Sequence, residues 1–126
     1  MLKAILIDDE PDCVRLLAHE LGVYCPHIQI IGQTTSSEDG LRLIQILQPD
    51  VVFLDIEMPR MNGFQLLEKL GAISFSLIFV TAYNEFAVKA FRFSALDYLL
   101  KPIDSQDLQE AVRKAERQHR VDVRQL

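Results

Sequence analysis

Five short apolar runs, each followed by a helix-patterned stretch, constrain this chain more than any other feature. The runs are LKAILID (2–8), IQIIGQ (28–33), VVFLD (51–55), SLIFVT (76–81) and LDYLLK (96–101). Most of them are apolar at nearly every position rather than at every second one. Strands patterned that way are buried on both faces, as in a parallel sheet held between two helix layers. The intervening helices are expected at DCVRLLAHELGV (12–23), SSEDGLRLIQILQ (36–48), GFQLLEKLG (63–71), EFAVKAFRF (85–93) and SQDLQEAVRKAERQH (105–119). Val14, Leu17, Ala18 and Leu21 keep helical spacing in the first, and Gly22 reads as its stop. Ser36, three residues before Asp39, makes a loose capping box for the second, and Ser105 is expected to cap the last. Crossovers between parallel neighbours are right-handed. The pattern therefore predicts an α/β fold, a doubly wound five-stranded parallel sheet with helices on both faces. RVDVRQL (120–126) loses the helical pattern.

The chain has 126 residues, the size of one domain, and 49% of them are apolar. No stretch approaches the roughly 18 apolar residues that span a bilayer. No signal peptide is visible either, since Lys3 is soon followed by Asp8, Asp9 and Glu10. Cys13 and Cys25 lack metal or redox spacing, which fits a reduced, cytoplasmic setting. His19, His27 and His119 are isolated and read as surface residues. The net charge of −5 argues against a general basic field gripping nucleic acid. The exception is the end of the chain, where Arg113, Lys114, Arg117, Arg120 and Arg124 face only Glu116 and Asp122, a pattern usual for a solvated helix face.

In an open α/β sheet, ligands sit at the carboxyl ends of the strands. Strand 1 ends in Asp8 and Asp9, strand 3 in Asp55, strand 4 in Thr81 and strand 5 in Lys101. Singly, each has an ordinary reading. Asp9 would cap a helix ahead of Pro11, Lys101 would be a surface lysine, and Thr81 a strand-end threonine. Together they converge on one edge. Clustered carboxylates raise one another's pKa unless a cation joins them. Oxygen ligands without histidine or thiolate suit Mg²⁺. Mg²⁺, an ammonium and a hydroxyl match the three oxygens of a phosphoryl group, and an aspartate can accept that group as an acyl phosphate.

The blocks IDDEP, VVFLDIEMPRMNG, FVTAY and ALDYLLKP, in this order and spacing, resemble the receiver domain of two-component response regulators over nearly the whole chain. The resemblance implies the flavodoxin-like strand order 2-1-3-4-5. It implies Asp55 as phosphoacceptor and Asp8, Asp9, Asp55 and the backbone carbonyl of Glu57 as Mg²⁺ ligands. Thr81 and Tyr98 match the switch pair, and Lys101 the phosphoryl-binding lysine. A cis peptide is expected before Pro102. The partner would be a sensor histidine kinase, and the domain a phosphoacceptor rather than an enzyme. In the family, positions such as Glu57 and Tyr83 set the dephosphorylation rate. AYNEFAVKAFRFSALDYLLKPID is similar to the LytR/AlgR-type (LytTR) regulators, in which a DNA-binding domain follows the receiver. Residues 1–119 are then the receiver and 120–126 the start of a linker or tail, DNA being reached only through a domain absent from this chain.

Phe86 and Phe93 are seven residues apart and align on a helix, while Phe91 points elsewhere. An exposed aromatic among them would mark a phosphorylation-dependent homodimer surface. Other readings stay open. The chain could be a stand-alone receiver acting through protein contacts. A haloacid-dehalogenase-type, Mg²⁺-dependent aspartyl phosphatase also places a second acid two residues after its aspartate. A flavodoxin-like binding module shares the fold, but its phosphate loop would not read DDEPD.

Overall fold

A computed structural model describes residues 1–124. Five strands alternate with five helices: β1 (Leu2–Ile7), α1 (Pro11–Tyr24), β2 (Ile28–Thr34), α2 (Ser37–Leu47), β3 (Val51–Leu54), α3 (Gly63–Leu70), β4 (Ser76–Thr81), α4 (Ala87–Arg92), β5 (Asp97–Leu100) and α5 (Ser105–Arg124). All strand pairs are parallel, in the order β2-β1-β3-β4-β5, as the resemblance implied. The two-residue period of a strand divides the core in two. Ala4, Leu6, Val51, Phe53, Ile78 and Val80 point to one face, where α1 adds Val14, Leu17 and Leu21 and α5 adds Leu108, Ala111, Val112 and Ala115. Ile5, Ile7, Val52, Leu54, Leu77 and Phe79 point to the other, beneath Ile44 of α2, Phe64, Leu66 and Leu67 of α3 and Ala90 of α4. No helix among the described residues is long and apolar enough to cross a membrane.

The helix ends show which local signals operate. Ser36 Oγ accepts from the Asp39 amide at 3.3 Å, but the Asp39 carboxylate turns to Arg42, so only half of the expected box forms. The full box belongs to α3. There Asn62 Oδ1 accepts from Gln65 N, and Gln65 Oε1 accepts from Asn62 N, each at 2.9 Å. Ser105 is the first residue of α5 and not its cap. Asp104 does the capping, accepting the Asp107 amide at 3.1 Å. Asp9 does not cap α1 either, since Glu10 occupies that position without a side-chain bond. The helix α5 continues to Arg124, past the point where the apolar pattern stops. Buried residues end at Ala115, and the last two turns are helical without a core to cover. Residues 125 and 126 of the expected linker or tail lie outside the described residues.

Two glycines let elements close on the sheet. A Cβ on Gly40 would meet Ile7 Cδ1 at 2.6 Å, so α2 lies tight on β1. A Cβ on Gly63 would stand 2.5 Å from the backbone oxygen of Asp55. The loop from β3 to α3 is thus pressed against the residue that ends β3.

Candidate functional site

The sheet's hydrogen-bond ladder runs one residue past the strands and places the site. Asp55 N donates to Ile7 O at 2.9 Å, Asp8 N to Thr34 O at 3.3 Å and Lys101 N to Thr81 O at 2.9 Å. Asp8, Asp55, Thr81 and Lys101 therefore sit on adjacent strand ends, at the edge the sequence indicated. Asp8 is 6% exposed, Asp55 4% and Thr81 0%.

Carboxylate oxygens of Asp8, Asp9 and Asp55 all lie within 4.8 Å of one another. Lys101 Nζ stands 2.7 Å from Asp8 Oδ2 and 3.1 Å from Asp55 Oδ2. The other Asp55 oxygen accepts the Ile56 amide at 2.7 Å. Asp8 Oδ1 accepts the Glu10 amide at 3.0 Å, which orients it as the chain leaves β1. Burial pushes the Asp55 carboxyl above its ordinary value; Asp8 adds to the rise and Lys101 opposes it. Burial also raises Asp9, again with Asp8 adding to it. For Lys101, burial alone would lower the pKa, but the ion pairs with Asp8 and Asp55 outweigh it and hold the ammonium above its usual range. Three carboxylates and one ammonium leave a net negative site of hard oxygen donors, which is the donor chemistry of a small divalent cation with water completing its shell.

The cleft over this cluster has a volume of about 360 Å³. Asp9, Asp55 and Lys101 line it, with Glu57 and Tyr83 on its rim. Tyr83 also joins the cleft to the neighbouring helix and strand. Its amide donates to Thr81 Oγ1 at 3.4 Å, its carbonyl accepts from the Tyr98 hydroxyl, and its ring meets Phe86 edge-on at 6.1 Å. Tyr98 packs on Phe79 with ring centres 6.1 Å apart. The Lys101–Pro102 peptide is cis, as expected. Phe86 and Phe93 both pack on Phe64, whereas Phe91 is 75% exposed.

Two neighbours of the site escaped the sequence reading. Cys13 lies in the first turn of α1, its Sγ among the Asp8 and Glu10 oxygens, and burial and Asp8 push its thiol up. Its place one helical turn beyond strand 1 was the available signal. Gly63 was visible as a glycine, but its contact with the Asp55 carbonyl was not.

Residues 4–113 match the family described as the response regulator receiver domain. A response regulatory protein of Vibrio cholerae serotype O1, described as uncharacterized, is 46% identical over 121 residues, covering 95% of this chain and 51% of that protein. The positive alginate biosynthesis regulatory protein of Pseudomonas aeruginosa is 39% identical over 127 residues, covering 99% of this chain and 51% of its own. The crystal structure of the response regulatory domain of protein mrkE from Klebsiella pneumoniae superposes with a TM-score of 0.82 at 29% identity, covering 91% of this chain and 95% of that one. The chain belongs to the response regulator receiver domain family. It spans about half the length of the curated relatives it matches.

Proposed function

We propose that Asp55 takes a phosphoryl group from the phosphohistidine of a sensor histidine kinase, with Mg²⁺ as the resident cation. The observation that carries this is a buried, desolvated carboxylate at a strand end, with two acids beside it and a single ammonium, Lys101, facing it. Asp8, Asp9, Asp55 and the Glu57 carbonyl would hold the ion, which supplies positive charge against the phosphoryl oxygens. An Asp55 oxygen attacks phosphorus in line. The O–P bond forms as the P–N bond breaks, and the bonding pair returns to the imidazole nitrogen. Lys101 and Thr81 offer donors to the oxygens of the transferred group. Thr81 moving toward that group would free its link to Tyr83. Tyr98, bonded to the same residue, would then turn and alter the face made by α4, β5 and α5. The domain assists its own phosphorylation and dephosphorylation and is not otherwise an enzyme.

Glu57 and Tyr83, on the cleft rim, would set how long the phosphoryl group lasts. The exposed Phe91 and Val88 supply an apolar patch for a phosphorylation-dependent homodimer. The AYNEFAVKAFRFSALDYLLKPID stretch and the alginate regulator relative support a LytTR-type transcription regulator. Its DNA-binding domain would lie outside this chain, and it would work in the cytoplasm. The patch alone would equally serve a stand-alone receiver acting through protein contacts.

Acetyl phosphate with Mg²⁺ should add one phosphoryl group per chain, cleaved by hydroxylamine as an acyl phosphate is. Its decay rate should change in Glu57→Ala and Tyr83→Ala. A hydroxylamine-resistant adduct, or uptake indifferent to EDTA, would defeat the acyl-phosphate and metal readings respectively. Decay rates equal to the parent's would remove the tuning role.

A further inference from the structure

The stripe Leu108, Ala111, Val112 and Ala115 docks α5 on the sheet. Apolar burial is non-directional and leaves a helix free to shift by small amounts along its seat. Directional contacts fix its position. Among the described residues, two polar side-chain contacts of α5 reach beyond the helix, Lys114 to Asp97 at 3.1 Å and His119 to Asp50 at 3.7 Å. The second lies before β3, at the sheet end opposite the site. The first reaches β5 directly.

Asp97 is engaged through both of its oxygens. Oδ1 accepts the backbone amide of Tyr98 at 2.8 Å, and Oδ2 accepts Lys114 Nζ at 3.1 Å. The pair is partly shielded, with side-chain exposures of 21% for Asp97 and 38% for Lys114. One carboxylate therefore grips the backbone of the proposed switch residue and the helix that leads out of the domain. Asp97 also starts β5, where its neighbour Tyr98 pairs with Phe79 and so with the strand that ends in Thr81.

We propose that Asp97 and Lys114 are a positioning pair that carries the state of the site from β5 to α5. The proposal rests on Asp55 as phosphoacceptor and Tyr98 as switch. A shift of the β5 backbone that accompanies the turn of Tyr98 moves its amide, hence the Asp97 carboxylate, and Lys114 passes that displacement to α5. The apolar stripe keeps the helix docked in both states, while the ion pair sets where along the seat it rests. A pair of this exposure adds little stability. Its use is directional, the role best attested for polar groups in or near cores.

Hydrogen exchange of the α5 backbone, measured with and without acetyl phosphate and Mg²⁺, tests the proposal, with phosphoryl content read by intact mass in the same samples. The parent should load and its α5 exchange should change on loading. Lys114→Met should load to the same extent while the α5 response is lost. Asp97→Asn, which keeps an acceptor for the Tyr98 amide but loses the ion pair, should do the same. Lys114→Arg should retain the response. A parent-sized α5 response in loaded Lys114→Met or Asp97→Asn would overturn the proposal, as would a loaded parent whose α5 does not respond. Failure of the parent to load would instead overturn the phosphoacceptor reading and this proposal with it.

Discussion

Asp55 and Asp9 both hold their protons more tightly in the native protein than their ordinary value of 3.8. A carboxyl whose folded-state pKa is raised binds more protons folded than unfolded, so native stability falls as pH rises through that interval. With EDTA present, the contribution of these two carboxyls to the melting temperature, read as the difference between the parent and a variant with both replaced by Asn, should therefore fall as pH climbs above about 4, the unfolded-state value. Mg²⁺ should flatten that fall and raise the melting temperature, by an amount equivalent to about 2.7 kcal/mol at a hundredfold excess over its dissociation constant. Thermal melts at several pH values, with and without Mg²⁺, check this, and identical curves would contradict it. Gly63 offers a second test at this scale. A methyl at that position meets the Asp55 carbonyl at 2.5 Å. Gly63→Ala should cost about 1–3 kcal/mol in urea unfolding and slow phosphoryl uptake, because the loop pushes Asp55 off its seat. The site acids were legible in the sequence because strand ends are legible. Gly63 and Cys13 were not, because their contacts depend on how closely a loop and a helix approach the sheet.

Strands were the easiest elements to read, since nearly every inward position in β1, β3 and β4 is apolar and the runs end in acids or turns. Helix ends were harder. Ser105 and Ser36 both looked like caps, yet Asp104 takes the role at α5, because the chain turns one residue earlier than the serine indicates. The end of α5 was missed because apolar periodicity reports burial, and the turns beyond Ala115 cover no core. The short helix α4 buries Ala90 alone and otherwise rests on aromatic contacts to Phe64. Helical phase separated its aromatics correctly, Phe86 and Phe93 inward and Phe91 outward. Phe91→Ser should then change unfolding free energy by no more than about 0.5 kcal/mol, while Phe64→Ala should cost about 3–5 kcal/mol. Sedimentation of phosphoryl-loaded protein should show parent dimers that Phe91→Ser weakens. Equal association of the two would remove Phe91 from the interface.

At the scale of the molecule, fold and site reinforce each other. The parallel order β2-β1-β3-β4-β5 puts the ends of β1, β3, β4 and β5 along one edge, and two apolar layers hold them there. A rigid sheet holds Asp55 buried against Lys101, and the cleft above the pair stays open. This arrangement makes the one carboxylate of Asp55 the proposed acceptor of the phosphoryl group. Peptide mapping by mass spectrometry after treatment with acetyl phosphate and Mg²⁺ tests it directly. One phosphoryl group is expected on the peptide containing Asp55 in the parent, and none there in Asp55→Asn. Stoichiometric uptake on that same peptide by Asp55→Asn, or on another residue in the parent, would contradict it.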